Sequence, residues 1–390
     1  MLTKITLDNF KSFKNSTTID LMKTNYTILS QNVADNGVLK GCIFVGANAS
    51  GKSTVILGIK LLLDFLFSER NVNSGIFLCM FGKSRSYSLA YEFLIDQKNI
   101  HYSFEVDTLK SMISEKLYID DKLMLERMGL SAKSYIADEK GVNYDETDVG
   151  KDALFLRTLY FNTKFASNTV LKKWMEYLKK SIYINMFDKK IISYGNAEVS
   201  LDRYLDKSGC RLINDFFDKY NFGQSIEYEH SSEGGTFRFV VGDDESEKDV
   251  FFKRKGIEVP IPFKEESLGN QNLLRILPPI LNVIENDGIL LVDEFSSGFH
   301  NELENLLVRY FMEKSRYAQM LFVSHSTNLL SNSILRPDQE YAVEFEREEG
   351  SSVKRFSLQQ PRSAQNIEKM YISGVFGGLP EYNEVGHEAQ

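Results

Sequence analysis

The sequence predicts an α/β fold: a buried parallel sheet assembled from both ends of the chain, with an N-terminal antiparallel β lobe and an inserted helical lobe. Three patterns predict it. The apolar run Gly41–Val45 leads through a glycine loop into Val55–Phe67, which is apolar at helical spacing. Two further short apolar runs, Gly288–Val292 and Met320–Val323, are of the kind buried parallel strands carry. Finally, Tyr87, Leu89, Tyr91, Phe93 and Ile95 alternate with polar residues, and Tyr102, Phe104 and Val106 resume the alternation after Asp96–Asn99, as in an antiparallel hairpin.

Along the chain, Ile5 and Leu7 alternate with polar neighbours and Thr17–Leu21 repeats the pattern, giving two strands of a half-buried edge sheet. Residues 1–110 therefore form the first part of the core. From 111 to 255 the pattern turns helix-like, as in Thr169–Ile184, interrupted by the polar stretches Asp138–Asp152 and Gly242–Lys248. This region is expected to be an inserted, mainly helical lobe. It has no sustained heptads, so no long coiled coil is expected. Trp174, the only tryptophan, lies in it and is expected to bury in the lobe's own core, while Lys172, Lys173 and Lys180 mark a candidate docking face. Residues 256–390 complete the core. Leu273–Ile284 reads as a helix that Pro278-Pro279 must break or kink. A hairpin follows at Tyr341–Phe345 and Val353–Phe356, then a helix near Ile367–Ile372.

Composition narrows the function classes. With 43% hydrophobic and 26% charged residues in 390, the chain is ordinary globular material. A net charge of −8 argues against a whole-surface grip on nucleic acid, although it leaves a local basic groove open. The cysteines Cys42, Cys79 and Cys210 have no metal-ligand spacing and are expected as buried thiols of a reducing cytosol. No signal peptide and no stretch of about 18 apolar residues is found, so a cytoplasmic protein without a membrane partner is expected.

The chemistry lies in a few positions. Gly46-Ala47-Asn48-Ala49-Ser50-Gly51-Lys52-Ser53 fits G-x-x-x-x-G-K-[ST] between a strand and a helix, which is the context the motif requires. Its glycines let successive amides and the helix start, with Thr54, face phosphates. Lys52, on an exposed loop, would neutralise the β- and γ-phosphates, and the Ser53 hydroxyl would hold Mg²⁺. Asp293-Glu294 ends an apolar strand: Asp293 would hold the metal through water, and Glu294 would act as general base on the attacking water. His325 ends another such strand, 31 residues after Glu294, where it could contact the γ-phosphate and order that water. Ser267 is a good N-cap, and with Gly269 and Asn270 it would make a second phosphate site at a helix start. His300 reads as a surface residue at a helix start, and Gln97 as a turn residue.

The opening Asn9-Phe-Lys-Ser-Phe13, the loop Gly46–Thr54, Ser267-Leu-Gly-Asn270, Asp293-Glu294, Ser296–His300 and Ser324-His325 occur in the order found in ABC-type ATPase heads. The chain resembles the heads of chromosome-maintenance (SMC-like) proteins. It is most similar to a compact family related to those proteins and to overcoming-lysogenization-defect ATPases, often encoded in anti-phage or abortive-infection loci. Glu368–Tyr371 and Gly374–Pro380 resemble that family's C-terminal ending. The similarity covers residues 1–110 and 260–380. It implies a P-loop ATPase of the ABC type that uses ATP and Mg²⁺ and closes as an ATP-sandwich homodimer, with Ser267, Gly269 and Asn270 reaching the nucleotide of the partner copy. The usual Leu-Ser-Gly-Gly signature is reduced here to Ser-Leu-Gly-Asn. The resemblance also implies a switch acting on a separate effector, a nuclease or toxin, in defence; the alternatives are a DNA-maintenance ATPase and a transporter subunit. About 215 residues separate Lys52 from Ser267, far more than in transporter subunits. No intrinsic nuclease is expected, because the acids after residue 260 serve the nucleotide site or scatter in hairpins.

Overall fold

The structure, a computed structural model, describes residues 1–136, 145–195, 199–230 and 248–379. Two compact units emerge. The larger comprises 1–196, 283–297 and 301–390; the smaller comprises 197–282 and 298–300. Parts of the predicted polar stretches, residues 138–144 and 242–247, lie outside the described residues.

In the larger unit, β1 (Leu2–Asp8) and β2 (Thr17–Asp20) are followed by β3 (Gly41–Val45) and α1 (Lys52–Phe67). Next come β4 (Ser86–Ile95), β5 (Lys98–Asp107), β6 (Met112–Ile119), β7 (Lys122–Met128), β8 (Ser131–Ser134) and β9 (Asp145–Glu146). All of these strands except β3 form one antiparallel sheet in the order β2-β1-β4-β5-β6-β7-β8-β9. In β4 every second residue is buried, which is what alternation along a half-buried strand requires. The β4–β5 turn is two residues long, Asp96 and Gln97, both with positive φ. That conformation suits the twist of a tight hairpin.

After β9, α2 (Phe155–Thr163) and α3 (Thr169–Lys179) precede β10 (Ile182–Asn185) and β11 (Lys190–Ser193). The smaller unit holds α4 (Leu201–Ser208), α5 (Arg211–Lys219), β12 (Gln224–His230), β13 (Lys248–Arg254), β14 (Ile261–Pro262) and most of α6 (Leu268–Asn286). Back in the larger unit lie β15 (Ile289–Asp293), α7 (Asn301–Lys314), β16 (Gln319–Val323), β17 (Glu340–Glu346), β18 (Gly350–Arg355) and α8 (Ile367–Ile372). The core sheet runs β11-β10-β15-β16-β3-β17-β18, with its five central strands parallel. Every residue of β3, β15 and β16 is buried, which explains their unbroken apolar character.

Two expectations need correction. The stretch 111–255 is not one mainly helical insertion: β6 to β9 extend the antiparallel sheet, and β10 joins the core sheet beside β15. Only from about residue 197 does a separate unit begin. The sequence Ile182-Tyr-Ile-Asn185 directly follows an amphipathic helix, and so short a buried strand has no periodicity of its own to distinguish it from a continuing helix. Second, α6 runs through Pro278 and Pro279 without a break, and both prolines are buried along with Leu273, Leu274, Leu277 and Ile280. Burial of that apolar face offsets the missing amide donors. The predicted C-terminal hairpin forms, with β17 antiparallel to β18, and β17 also pairs in parallel with β3 and completes the core.

Buried polar groups join the layers. Gln319 on β16 accepts from the Leu2 amide at 2.6 Å and from the Tyr177 hydroxyl at 2.8 Å, while its amide donates to the carbonyls of Leu2 and Leu39. Glu115 on β6 meets Arg127 and accepts from the amides of Phe155 and Leu156 that open α2. Asp64 on α1 collects Lys60 and Arg70 at 2.6 Å each and the Tyr194 hydroxyl at 2.7 Å. Trp174 packs edge-on against Phe93 and Tyr102 with no exposed surface, so it is a core residue of the larger unit and not of an inserted lobe. Cys42 and Cys79 are buried and Cys210 is half-buried, and no disulfide joins them.

Glu340, a buried acid at the start of β17, has no hydrogen-bond partner for either carboxylate oxygen. Burial, and then the nearby Asp338 charge, raise its carboxyl well above the usual 4.5. The folded chain therefore holds a proton that the unfolded chain releases, so this group subtracts stability as pH rises from about 4.5. Glu340→Gln should raise the melting temperature by roughly a few degrees at neutral pH, with a gain that shrinks toward pH 4. Thermal scans across that range that give a pH-independent difference would refute this reading.

Candidate functional site

The C-terminal ends of β3, β15 and β16 lie at one edge of the core sheet because the three strands are parallel and in register, with Val292 opposite Phe322 and Phe322 opposite Ile43. That edge is where open α/β sheets take ligands. From β3 the chain enters Gly46–Gly51, where Gly46 (φ 153°), Ala49 (φ 61°) and Gly51 (φ 109°) all have positive φ. The curl is close-packed. A Cβ at Gly46 would strike the Val343 carbonyl, and one at Gly51 would strike the hydroxyls of Ser351 and Ser12. Ser351 also donates to the Ser50 carbonyl at 2.6 Å, clamping the loop from β18.

α1 starts at Lys52, so the amides of Lys52 and Ser53 belong to a helical first turn, whose N–H groups have no partner within the helix. Lys52 is 5% exposed, which corrects the expectation of an exposed loop lysine. Its ammonium donates to the carbonyls of Gly46 at 3.0 Å and Ala47 at 2.7 Å, so the side chain curls back under its own loop. Burial lowers its pKa, opposed by the charges of Glu294 and Asp293. The Ser50 hydroxyl is buried without a hydrogen-bond partner. A curled loop with an unpaired buried hydroxyl and a desolvated lysine fits an anionic ligand with several oxygens.

Facing the loop, the Ser53 hydroxyl donates to Asp293 Oδ1 at 2.8 Å. Burial raises the Asp293 carboxyl above the usual 3.8, and the Ser53 hydrogen bond opposes the rise. One hydroxyl and one carboxylate oxygen make the hard, sparse donor set that suits Mg²⁺, which keeps water and phosphate oxygens as its remaining ligands. Among the described residues no cluster of three or more His, Cys, Asp or Glu could hold a metal by itself. Glu294 follows with φ 57°, a backbone conformation that costs a non-glycine residue about 1 kcal/mol or more and recurs at functional sites. His325 Nε2 stands 3.5 Å from Glu294 Oε2, and the His325 amide donates to the Ser296 hydroxyl at 3.1 Å. The larger unit thus brings together Gly46–Thr54, Asp293, Glu294 and His325.

Ser267, Gly269 and Asn270 belong to the smaller unit. Ser267 precedes α6, and its hydroxyl accepts from the Asn270 amide at 3.3 Å, the N-cap the sequence predicts. Glu266 accepts from the Ser267 amide and from Arg254, each at 2.6 Å, while Asn270 exchanges long contacts with Gln224. Ser267, Leu268 and Gly269 are exposed, and nothing lies within 4 Å of a Cβ at Gly269. The loop is held from behind and open in front. His300 is exposed just ahead of α7, as expected.

Beside the glycine loop lies a cavity of about 960 Å³. Ser12 and Thr54 line one side, their hydroxyls 3.4 Å apart, with Lys11 next to them. Ile76, Met80, Phe81 and Phe345 line the apolar side, with Phe81 and Phe345 rings 5.2 Å apart. Of these positions the sequence assigned a role only to Thr54, at the end of the glycine loop. Lys11 and Ser12 carried a signal in Asn9–Phe13; the apolar wall carried none, because its members come from loops far apart in sequence.

Residues 195–331, about a third of the chain, match the family described as "AAA domain, putative AbiEii toxin, Type IV TA system". No curated protein matches the chain. Among solved structures, the SMC head domain of Pyrococcus furiosus with an extended coiled coil, bound to the C-terminal domain of ScpA, is similar at 11% identity with a TM-score of 0.50. That match covers 90% of this chain and 95% of that one. The SMC head domain from Thermotoga maritima matches at 15% identity and TM-score 0.48, covering 90% and 97%. The fold is that of an SMC head, an ABC-type P-loop ATPase fold.

Lys52→Ala should lower affinity for a nucleoside triphosphate by roughly a hundredfold or more, because it removes the one cation inside the loop. The melting temperature should hold, since a desolvated lysine contributes little to the core. Calorimetric titration checks the affinity and a thermal scan the melting temperature; wild-type affinity would exclude the loop as the phosphate site.

Proposed function

We propose that this chain is an ATP-hydrolysing switch that closes as a homodimer around two ATP molecules and reopens on hydrolysis. One observation carries the reading: Ser53, Asp293, Glu294 and His325, from three separate segments, meet at one sheet edge, with the hydroxyl and Asp293 at 2.8 Å and the histidine and Glu294 at 3.5 Å.

In this reading the amides of the glycine loop and the first turn of α1 bind the β- and γ-phosphates, and Lys52 swings from its carbonyl partners onto their oxygens. Ser53 and Asp293 hold Mg²⁺, whose contribution when bound is to neutralise charge building on the phosphate oxygens. Glu294 accepts a proton from the attacking water, and His325 fixes the position of that water beside the γ-phosphate. The apolar wall of Phe81 and Phe345 takes the base by stacking. Ser267, Gly269 and Asn270 reach the γ-phosphate of the partner copy, consistent with their open, helix-start setting.

The family match over 195–331, whose description names a "putative AbiEii toxin, Type IV TA system", supports a defence role; in this reading the closing motion controls a separate effector, a nuclease or toxin. The net charge of −8 gives nucleic acid no general support as the ligand, and among the described residues no helix is long and apolar enough to cross a membrane. The effector surface is proposed for the smaller unit, because every nucleotide-binding residue of the chain's own site lies in the larger one.

Glu294→Gln should lower ATP turnover by about a thousandfold while keeping ATP affinity, so that a dimer accumulates with ATP and Mg²⁺. Size-exclusion chromatography with light scattering reads the mass, and unchanged turnover would move the base elsewhere. Ser267→Arg should abolish ATP-dependent dimerisation and leave monomer ATP affinity intact, because the bulky cation blocks only the partner's phosphate. A dimer that still forms would remove Ser267 from the interface.

A further inference from the structure

The C-terminal motif Gly374-Val-Phe-Gly-Gly-Leu379 has no role in the reading above, yet it runs against the nucleotide loop. Its upstream end is fixed beside the histidine loop, where Thr327, two residues past His325, donates to Glu368 of α8 at 2.7 Å. Past α8, Phe376 stacks face to face on Phe356, centroids 3.9 Å apart and planes 7° from parallel. Gly377 and Gly378 then adopt φ 77° and 76°, two consecutive left-handed residues that only glycine takes without strain.

The pair is closely fitted. The Gly378 amide donates to Glu344 Oε1 at 2.7 Å, and the Tyr371 hydroxyl donates to the Gly378 carbonyl at 3.3 Å. Lys354 pairs with the other oxygen of Glu344. A Cβ on Gly377 would overlap the Glu344 carboxylate, and one on Gly378 would lie 3.5 Å from the Cα of Gly46, the first residue of the phosphate loop. Gly378 and Leu379 line the cavity alongside Ala47 and Asn48.

We propose that residues 374–379 form a built wall of the nucleotide cavity, and that Glu344 is the positioning residue that holds this strap against the phosphate loop through the Gly378 amide. The ligand is a nucleoside triphosphate, so the inference rests on the ATP reading above. Its geometry is distinct, because the anchor runs through Glu344 and the Gly378 amide and not through Glu294 or the Ser53–Asp293 pair. Losing the anchor frees the strap, and ordering it again on binding weakens affinity without altering the hydrolytic step.

The test is calorimetric titration of the full chain with a non-hydrolysable ATP analogue and Mg²⁺, together with steady-state ATPase kinetics. Glu344→Ala should weaken binding by roughly tenfold and raise KM by a similar factor with kcat unchanged. Glu344→Gln should restore wild-type affinity, because its amide oxygen still accepts from Gly378 although the pairing with Lys354 is lost. Tyr371→Phe, which removes one hydroxyl and no packing, should weaken binding by about two- to fivefold and serves if Glu344→Ala does not fold. Glu344→Ala and Tyr371→Phe binding as wild type overturn the strap, as does Glu344→Gln binding as weakly as Glu344→Ala. If Lys52→Ala also binds as wild type, the phosphate-loop reading itself falls; if Lys52→Ala is inactive and the strap variants are normal, only the strap proposal does.

Discussion

The in-register parallel pairing of β3, β15 and β16 is the constraint on which the candidate site depends. Three strands from residues 41–45, 289–293 and 319–323 must end at one edge for a glycine loop, two acids and a histidine to share a few ångströms. Their full burial on both faces makes the register costly to slip, because a shift of one residue would change every packing contact at once. The site polar groups therefore sit on a rigid base, while the loops beyond the strand ends carry the left-handed residues, Gly46, Ala49, Gly51 and Glu294.

That base is held by buried polar groups whose partners are far away in sequence. Gln319 satisfies all its hydrogen-bonding capacity between β1, the segment before β3 and Tyr177, so the core strand and the N-terminal lobe are joined by directional bonds as well as apolar contact. Arg336 and Asp338 form a buried pair, and Asp338 also takes the amide and hydroxyl of Thr24. Its carboxyl lies below the usual 3.8: burial pushes it up, but the hydrogen bonds from Arg336 and Thr24 outweigh that cost. Two residues later Glu340 has no such partners and shifts the other way. The contrast between these acids shows that satisfaction, not burial alone, decides whether a buried carboxylate stays charged.

The smaller unit uses a different device. Its exposed Ser267–Gly269 turn is backed by Arg254 and Glu266, which order the helix start. Glu266 is held below 4.5 although burial acts to raise it, because the Ser267 amide, Asn270 and Arg254 favour its charged form. A fixed carboxylate behind the helix end organises the loop and leaves Ser267, Leu268 and Gly269 exposed.

Much of this was legible in order along the chain. The glycine loop, Asp293-Glu294, the three buried strands, the β4–β5 hairpin and the helix at Ile367–Ile372 each carry a local pattern, because strand burial and helical spacing repeat over neighbouring residues. The Ser267 cap was legible for the same reason, its partner lying three residues away. What only the tertiary structure decided are pairings between remote segments. β10 beside β15, β17 beside β3, the cavity wall of Ile76, Phe81 and Phe345, and the glycine strap on Glu344 leave no trace in local periodicity. The sequence by itself determined which residues could carry phosphate chemistry, since that depends on residue type and short spacing. The fold decided that Lys52 is buried, that Trp174 belongs to the core and that Gly378 meets the phosphate loop, because burial and contact are set by which distant surfaces exclude water together.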